Sequence, residues 1–350
     1  MQSVRTPGPE ATLMFREARQ APQAVARQLT VNAPVMLRLG ARLRALAPRA
    51  VVTIGRGSSD HAATFAKYLI ETRLGVVTSS GAPSVSSLYA SAPGMAGSVC
   101  LAISQSGRSP DLLSAVASAK SAGALVIAMV NTEGSPLSAL ADETIALGAG
   151  PELSVAATKS YITALSAIAQ LTTAWAEDED LAQGLETLPR DLAAAWELDW
   201  SAALDHLGPA SNLYVIARGL GFTIAQEAAL KFKETCGLHA EAFSAAEVRH
   251  GPMALVVKGF PVLAFAQDDE SRAGVDAVAT EFAALGADVM LAGTATAAAG
   301  VVRLPSLSAH PALQPLLHAQ SFYRLVNRLA LERGHDPDHP PTLNKVTETL

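Results

Sequence analysis

Two stretches decide the fold: "VVTIGRGSSDHAATFAKYLIE" (residues 51–71) and "LYVIARGLGFTIAQEAALKFKE" (residues 213–234). Each is a short apolar run rich in β-branched residues, then a small-residue turn, then an amphipathic helix pattern. Setting Gly57 over Gly219 fixes an offset, and the same offset lays "LAISQSG" (101–107) over "LAFAQDD" (263–269). One residue further on, "GALVIAMV" (123–130) falls over "GADVMLAG" (286–293). The chain therefore reads as two tandem α/β units, each a parallel sheet flanked by helices. Convergent strand–turn–helix patterning is the alternative source of the same register.

Outside the repeat, residues 1–30 read as a helical lead-in, with "LMFREARQAPQAVARQL" (13–29) interrupted near Pro22. The first unit is expected over 31–178 and the second over 192–334. The acidic stretch "AEDEDLAQGLETLPRD" (176–191) reads as helix ends and a linker between them. Residues 335–350 form a Pro-rich, polar tail that is expected to be irregular, with disorder its simplest form.

Composition narrows the function. The 350 residues are 49% hydrophobic and 17% charged, enough to bury a sizeable core. A net charge of −6 without long Lys/Arg runs argues against nucleic acid and against a polybasic membrane anchor. No apolar stretch is long enough to span a bilayer, and the first residues lack a signal-peptide core. Cys100 and Cys236 stand in unrelated contexts. A reduced, cytoplasmic protein is the expectation.

Ligands of parallel α/β sheets sit at the carboxyl ends of strands. Three loops of the first unit fall there. In "GRGSSDHA" (55–62), Gly57 permits a tight turn and Ser58, Ser59 or Asp60 can cap the next helix. In "SQSGRSPD" (104–111), Ser104, Gln105, Ser106 and Ser109 lie between a buried strand and a helix that Pro110 opens. Hydroxyls and free N–H groups at a helix N-terminus make an anion site. The second unit has "AQDDES" (266–271) instead, whose acids would repel phosphate, so one phosphate site per chain is expected. "PELSVAATKSY" (151–161) is the third polar turn.

The helix pattern 222–235 places Glu227, Lys231 and Glu234 in one narrow stripe between Ile224 and Leu230. This is either a surface salt-bridge ladder or a buried carboxylate beside a lysine, suited to general-base work. "EVRHGPMALV" (247–256) adds His250 ahead of a Gly-Pro break, as a catalytic or merely structural histidine.

These residues resemble the SIS (sugar isomerase) domain family. "ALKFKETCGLHAEAFSAAEVRHGPMALV" (229–256), "DPDHPPTLNKVTETL" (336–350) and "MFREARQAPQAV" (14–25) are similar to the isomerase half of glutamine–fructose-6-phosphate amidotransferases. The resemblance implies that Ser104, Gln105, Ser106 and Ser109 hold a sugar phosphate, with Ser58 and Ser59 alongside and Val155 and Ala157 near the substrate. It implies that Glu234 moves a proton between C1 and C2 and that Lys231 stabilises the developing charge. His250, from the neighbouring subunit of a homodimer, would open the sugar ring, and Lys345 would approach C1–C2. Ala157 stands where that family has a substrate-contacting serine. No glutaminase segment with its nucleophilic cysteine is found in the sequence, so the pattern resembles the type II glucosamine-6-phosphate deaminases. The resemblance implies conversion of glucosamine 6-phosphate and water to fructose 6-phosphate and ammonia, with no metal or redox cofactor. Galactosamine 6-phosphate, a fructosamine 6-phosphate, or a non-catalytic sugar-phosphate sensor are the alternatives.

Overall fold

A computed structural model of the chain describes residues 8–91, 93–295 and 298–345. It contains two compact units. Of the described residues, the first unit holds Gln23–Glu152, Lys159–Pro189, Asn344 and Lys345; the second holds the stretch up to Pro22, Leu153–Thr158 and Arg190–Leu343.

The first unit is built on β1 (Val51–Ile54), β2 (Thr78–Ser80), β3 (Val99–Ser104), β4 (Leu125–Val130) and β5 (Glu143–Ala146). All pairings are parallel, in the order β2-β1-β3-β4-β5. The second unit repeats this with β6 (Asn212–Ala217), β7 (His239–Ser244), β8 (Pro261–Phe265), β9 (Asp288–Gly293) and β10 (Val301–Pro305). Its order, β7-β6-β8-β9-β10, is again parallel throughout. The three strand pairs matched by the sequence offset, β1 with β6, β3 with β8 and β4 with β9, hold the same places in the two sheets. Central strands read as unbroken apolar runs because helices cover both of their faces. Every residue of β3 and of β8 is buried. Leu112, Val116 and Ala119 of the helix Pro110–Ser121 complete one core on the first sheet, and Val275, Val278 and Phe282 complete its counterpart on the second.

The break near Pro22 is present: one helix covers Leu13–Arg19 and the next Ala21–Leu46. From Glu179 on, the acidic stretch is a continuous helix rather than separate helix ends. After a turn at Glu177 and Asp178, residues 179–196 form one continuous helix. Leu181, Leu185, Leu188 and Leu192 recur at helical spacing and are buried, so the helix packs along one face, and the division between the two units falls within it, after Pro189. The tail 335–345 is irregular, as read, but it is fixed in place. The Asp338 carboxylate accepts from the backbone N–H groups of Leu13 (2.6 Å) and Met14 (2.7 Å), joining Thr12 in capping that helix. Among the described residues, no helix is long and apolar enough to cross a membrane.

One buried base sets an acid limit. The His318 imidazole, 1% exposed, has its Nε2 2.9 Å from Ser306 Oγ and its Nδ1 without a partner among the described residues. Burial pushes its pKa down to about 4. Because the folded pKa lies below the unfolded one, the contribution is complete above pH 6.5 and is lost as pH falls through 4. Unfolding free energy should drop by about 3 kcal/mol over that window from this residue alone. Urea titrations at pH 7 and pH 4.5 check it: the difference should shrink in His318→Leu.

Candidate active site

The carboxyl ends of β1 and β3, neighbours in the sheet, bring the first two polar loops together. The turn after β1 needs a glycine at position 57, where φ is 54° and ψ −130°. Gly57 itself is the N-cap of the helix Ser58–Leu74, which has no side-chain cap at that position. Ser58, Ser59 and Asp60 thus lie inside the first turn and do not supply the N-cap expected of them. Both serines are partly exposed.

The loop 104–109 is pinned from below. Gly107 has φ 65°, and a Cβ there would lie 2.5 Å from Ser135 Oγ. The Gly107 carbonyl accepts from Leu137 N–H (3.1 Å), and that of Gln105 from Thr132 N–H (3.3 Å). Ser104, at the end of β3, is buried, and its Oγ accepts from Gly107 N–H at 3.0 Å. It helps build the turn while keeping its one O–H for donation. Among the described residues, the Ser106 and Ser109 hydroxyls have no partner, and both residues are partly exposed. Ser109 is the N-cap of the helix Pro110–Ser121 but its side chain does not cap it. Loose hydroxyls beside the uncapped first turn of a helix suit an anion. Ser106→Ala and Ser109→Ala should each weaken phosphate-ester binding by roughly tenfold or more, the worth of a hydrogen bond to a charged oxygen. Melting temperature should stay put, since neither hydroxyl has an internal partner to lose; calorimetric titration with a thermal melt separates the two.

The matching loop of the second unit is filled by its own side chains. Asp268 accepts from Arg272 Nη1 (2.7 Å), Thr294 Oγ1 (2.6 Å) and Gln314 Nε2 (2.8 Å). Burial works to raise the Asp268 pKa, but the Thr294 and Gln314 hydrogen bonds and the Arg272 charge outweigh it and hold the carboxyl below its usual range. Asp269 accepts from Ser271 N–H at 2.8 Å.

The charged stripe is buried. It lies on the helix Phe222–Cys236, which packs beside the helix Gln314–Glu332 through an edge-to-face contact of Phe232 with Phe322 at 5.2 Å. Glu227 and Lys231 are fully buried, 3.5 Å apart, and Glu234 retains 21% side-chain exposure and is ion-paired with Lys231. Tyr323 donates its hydroxyl to Glu227 Oε1 at 3.0 Å. The surface-ladder alternative fails on this burial. A buried ion pair is weak evidence for stability. The chain Tyr323–Glu227–Lys231–Glu234 leads from the core to one carboxylate that solvent, and hence a substrate, can reach.

Other candidates stand apart from that chain of contacts. His250 is exposed, between the short 3₁₀ turns Glu247–Arg249 and Pro252–Leu255, and its ring has no hydrogen-bond partner among the described residues. Val155 and Ala157 are partly exposed, and the Val155 N–H donates to the Asp338 carbonyl at 3.2 Å. Lys345 Nζ lies 3.3 Å from Oε2 of the buried Glu152, which also accepts from Ser160 N–H at 3.0 Å. Ser58, Ser59, Ser104, Gln105, Ser106, Ser109 and Lys345 belong to the first unit; Val155, Ala157, Lys231, Glu234 and His250 belong to the second.

Sequence reading missed two partners. Tyr323 is 96 residues from the carboxylate it donates to, and nothing in its local pattern marks it. The bond of Arg56 to Asp111, 2.9 Å at Nε and 2.7 Å at Nη2, joins the two polar loops; a lone arginine in an otherwise uncharged glycine turn was its only sign.

Two flavodoxin-like parallel sheets, one of them with a hydroxyl-lined loop at a helix N-terminus, define a tandem α/β protein. The SIS domain model matches residues 47–174 and 206–306, and the chain belongs to the SIS domain family. It is 35% identical, over 95% of its length, to a glutamine--fructose-6-phosphate aminotransferase [isomerizing] of Aeropyrum pernix, of which it covers 56%. The chain thus spans about half the length of the curated relatives it matches. Among solved structures, a "putative phosphosugar isomerase" from Silicibacter pomeroyi DSS-3 is 43% identical with a TM-score of 0.89, covering 93% of this chain and all of that one. The C-terminal domain of glucosamine-fructose-6-phosphate aminotransferase from Francisella tularensis is 25% identical, with a TM-score of 0.84 and coverage of 94% and 98%.

Proposed function

We propose that this protein isomerises an amino-sugar 6-phosphate and releases its nitrogen as ammonia, with glucosamine 6-phosphate as the substrate. The observation that carries the reading is the buried Lys231 paired with the accessible Glu234. In the open-chain sugar, Glu234 takes the C2 proton and Lys231 balances the negative charge that develops on the C1 oxygen. Returning the proton to C1, while the C1 oxygen gains a proton and the amine gives one up, leaves an imine at C2. Water adds to it, the C–N bond breaks, and fructose 6-phosphate and ammonia leave. The substrate's own amine and carbonyl serve as the electron sink. The phosphate is proposed to sit on the 104–109 loop. The similarity to isomerase-type relatives supports the proton transfer; the deamination is this proposal's own step. An assay of ammonia and ketose phosphate tests it with glucosamine 6-phosphate, galactosamine 6-phosphate and unphosphorylated glucosamine. Ammonia should come from the first and scarcely from the last. Equal turnover of glucosamine and its phosphate contradicts the reading.

The ring-opening histidine is proposed to act across a homodimer. His250 is exposed and its ring has no hydrogen-bond partner among the described residues, as a side chain offered to a neighbour would be. His250→Ala and Glu234→Gln chains should each be nearly inactive. Co-refolded, they should recover about a quarter of wild-type activity per site if sites act independently. Hybrids that form, seen by native mass spectrometry, yet stay inactive would place His250 in its own chain's site or in none.

A further inference from the structure

The ligating groups of the 104–109 loop are neutral, yet its helix carries a carboxylate in the first turn. Asp111 is 2% exposed, one residue after Pro110. A bare acid there would repel a doubly charged phosphate. Both of its oxygens are engaged. Oδ1 accepts from Leu112 N–H at 2.8 Å. Oδ2 accepts from Arg56 Nε at 2.9 Å and Nη2 at 2.7 Å. Arg56 comes from the turn after β1, the strand beside β3. Its guanidinium is held by one edge; its side chain keeps 53% exposure, and Nη1 has no acceptor among the described residues.

We infer that Arg56 is the charged ligand of the substrate's phosphate, held in position by Asp111; this rests on the phosphate-site reading above and supplies that site's missing positive charge. A guanidinium carries five donors in a rigid fork, so one edge can be tied to a carboxylate while the other meets a phosphate oxygen. Arg108, in the same loop, is exposed and has no hydrogen-bond or ion-pair partner among the described residues. It would have to be ordered on binding, whereas Arg56 is already fixed. Arg56 thus favours the phosphorylated, dianionic sugar over its neutral parent.

Isothermal titration of the full chain with inorganic phosphate and with fructose 6-phosphate tests this. Arg56→Gln should weaken both by roughly 10- to 100-fold, with Arg56→Lys between it and wild type; its melting temperature should fall, because the buried Asp111 loses its arginine partner, and should recover in the double variant with Asp111→Asn. Arg108→Gln should bind almost as wild type. The double variant Arg56→Gln/Asp111→Asn should remain weak, because the lost group is a ligand. Wild-type affinity in Arg56→Gln overturns the inference. So does recovery of affinity in the double variant, which would make Arg56 only a neutraliser of Asp111. Absence of binding by the wild type overturns it together with the phosphate-site reading. Arg56-dependent binding without ammonia release from any hexosamine phosphate leaves it standing and removes the deamination.

Discussion

Glu234→Gln lowers kcat on glucosamine 6-phosphate by about 10²–10⁴-fold, the range for losing a general base, while the fold survives. The substitution keeps the shape and leaves Lys231 a hydrogen-bond acceptor. It removes the ability to take a proton and one of the two negative charges beside Lys231, which stays paired with Glu227. Glu234 is partly exposed at the end of its helix, so neutralising it leaves no fully buried charge unpaired. KM should change much less than kcat, because the phosphate is held elsewhere. Activity within a few-fold of wild type would reduce Glu234 to a partner of Lys231.

Lys231→Met has the largest effect on stability. It strands the Glu227 carboxylate, fully buried, with only the Tyr323 hydroxyl and its remaining contacts. Removing one member of a buried pair costs about 3–5 kcal/mol. For a unit of this size that lowers Tm by roughly 6–20 °C. Lys231→Met/Glu227→Gln should regain most of the loss, since the introduced amide still accepts from Tyr323 and no buried charge is left alone. The double variant should be stable and inactive. Urea unfolding of the three variants beside wild type reads this out; a double variant no more stable than the single one would mean that the pair is kept for stability.

What could be read from the sequence follows from the range of the interactions involved. The sheets were legible because a strand covered on both faces must be an apolar run, and "VCLAIS" and "PVLAF" each end in a polar turn. The hydroxyl-rich loop was legible because its residues are contiguous. Burial of the Glu227–Lys231–Glu234 stripe was not. Helical periodicity groups residues on a face, but whether that face meets water depends on the helix Gln314–Glu332, some ninety residues on. The continuity of the helix 179–196 was not legible because Glu179 and Asp180 in its first turn and Pro189 within it break the pattern, although its leucines carry the packing signal. The tail's order was hidden for a like reason: Asp338 caps a helix more than three hundred residues earlier in the chain. Arg56 and Asp111, 55 residues apart, meet only because β1 and β3 are neighbours.

The central claim is that Glu234 moves a proton from C2 to C1 of an amino-sugar phosphate. Proton NMR of glucosamine 6-phosphate incubated with the protein in D₂O tests it most directly. The account predicts loss of the C2 proton with formation of fructose 6-phosphate and free ammonia, C1 carrying solvent deuterium to the extent that the proton held on Glu234 exchanges before its return, and all of this cut about 10²–10⁴-fold with Glu234→Gln. Glucosamine 6-phosphate recovered unchanged, with its C2 proton intact after prolonged incubation with wild-type protein, would contradict it.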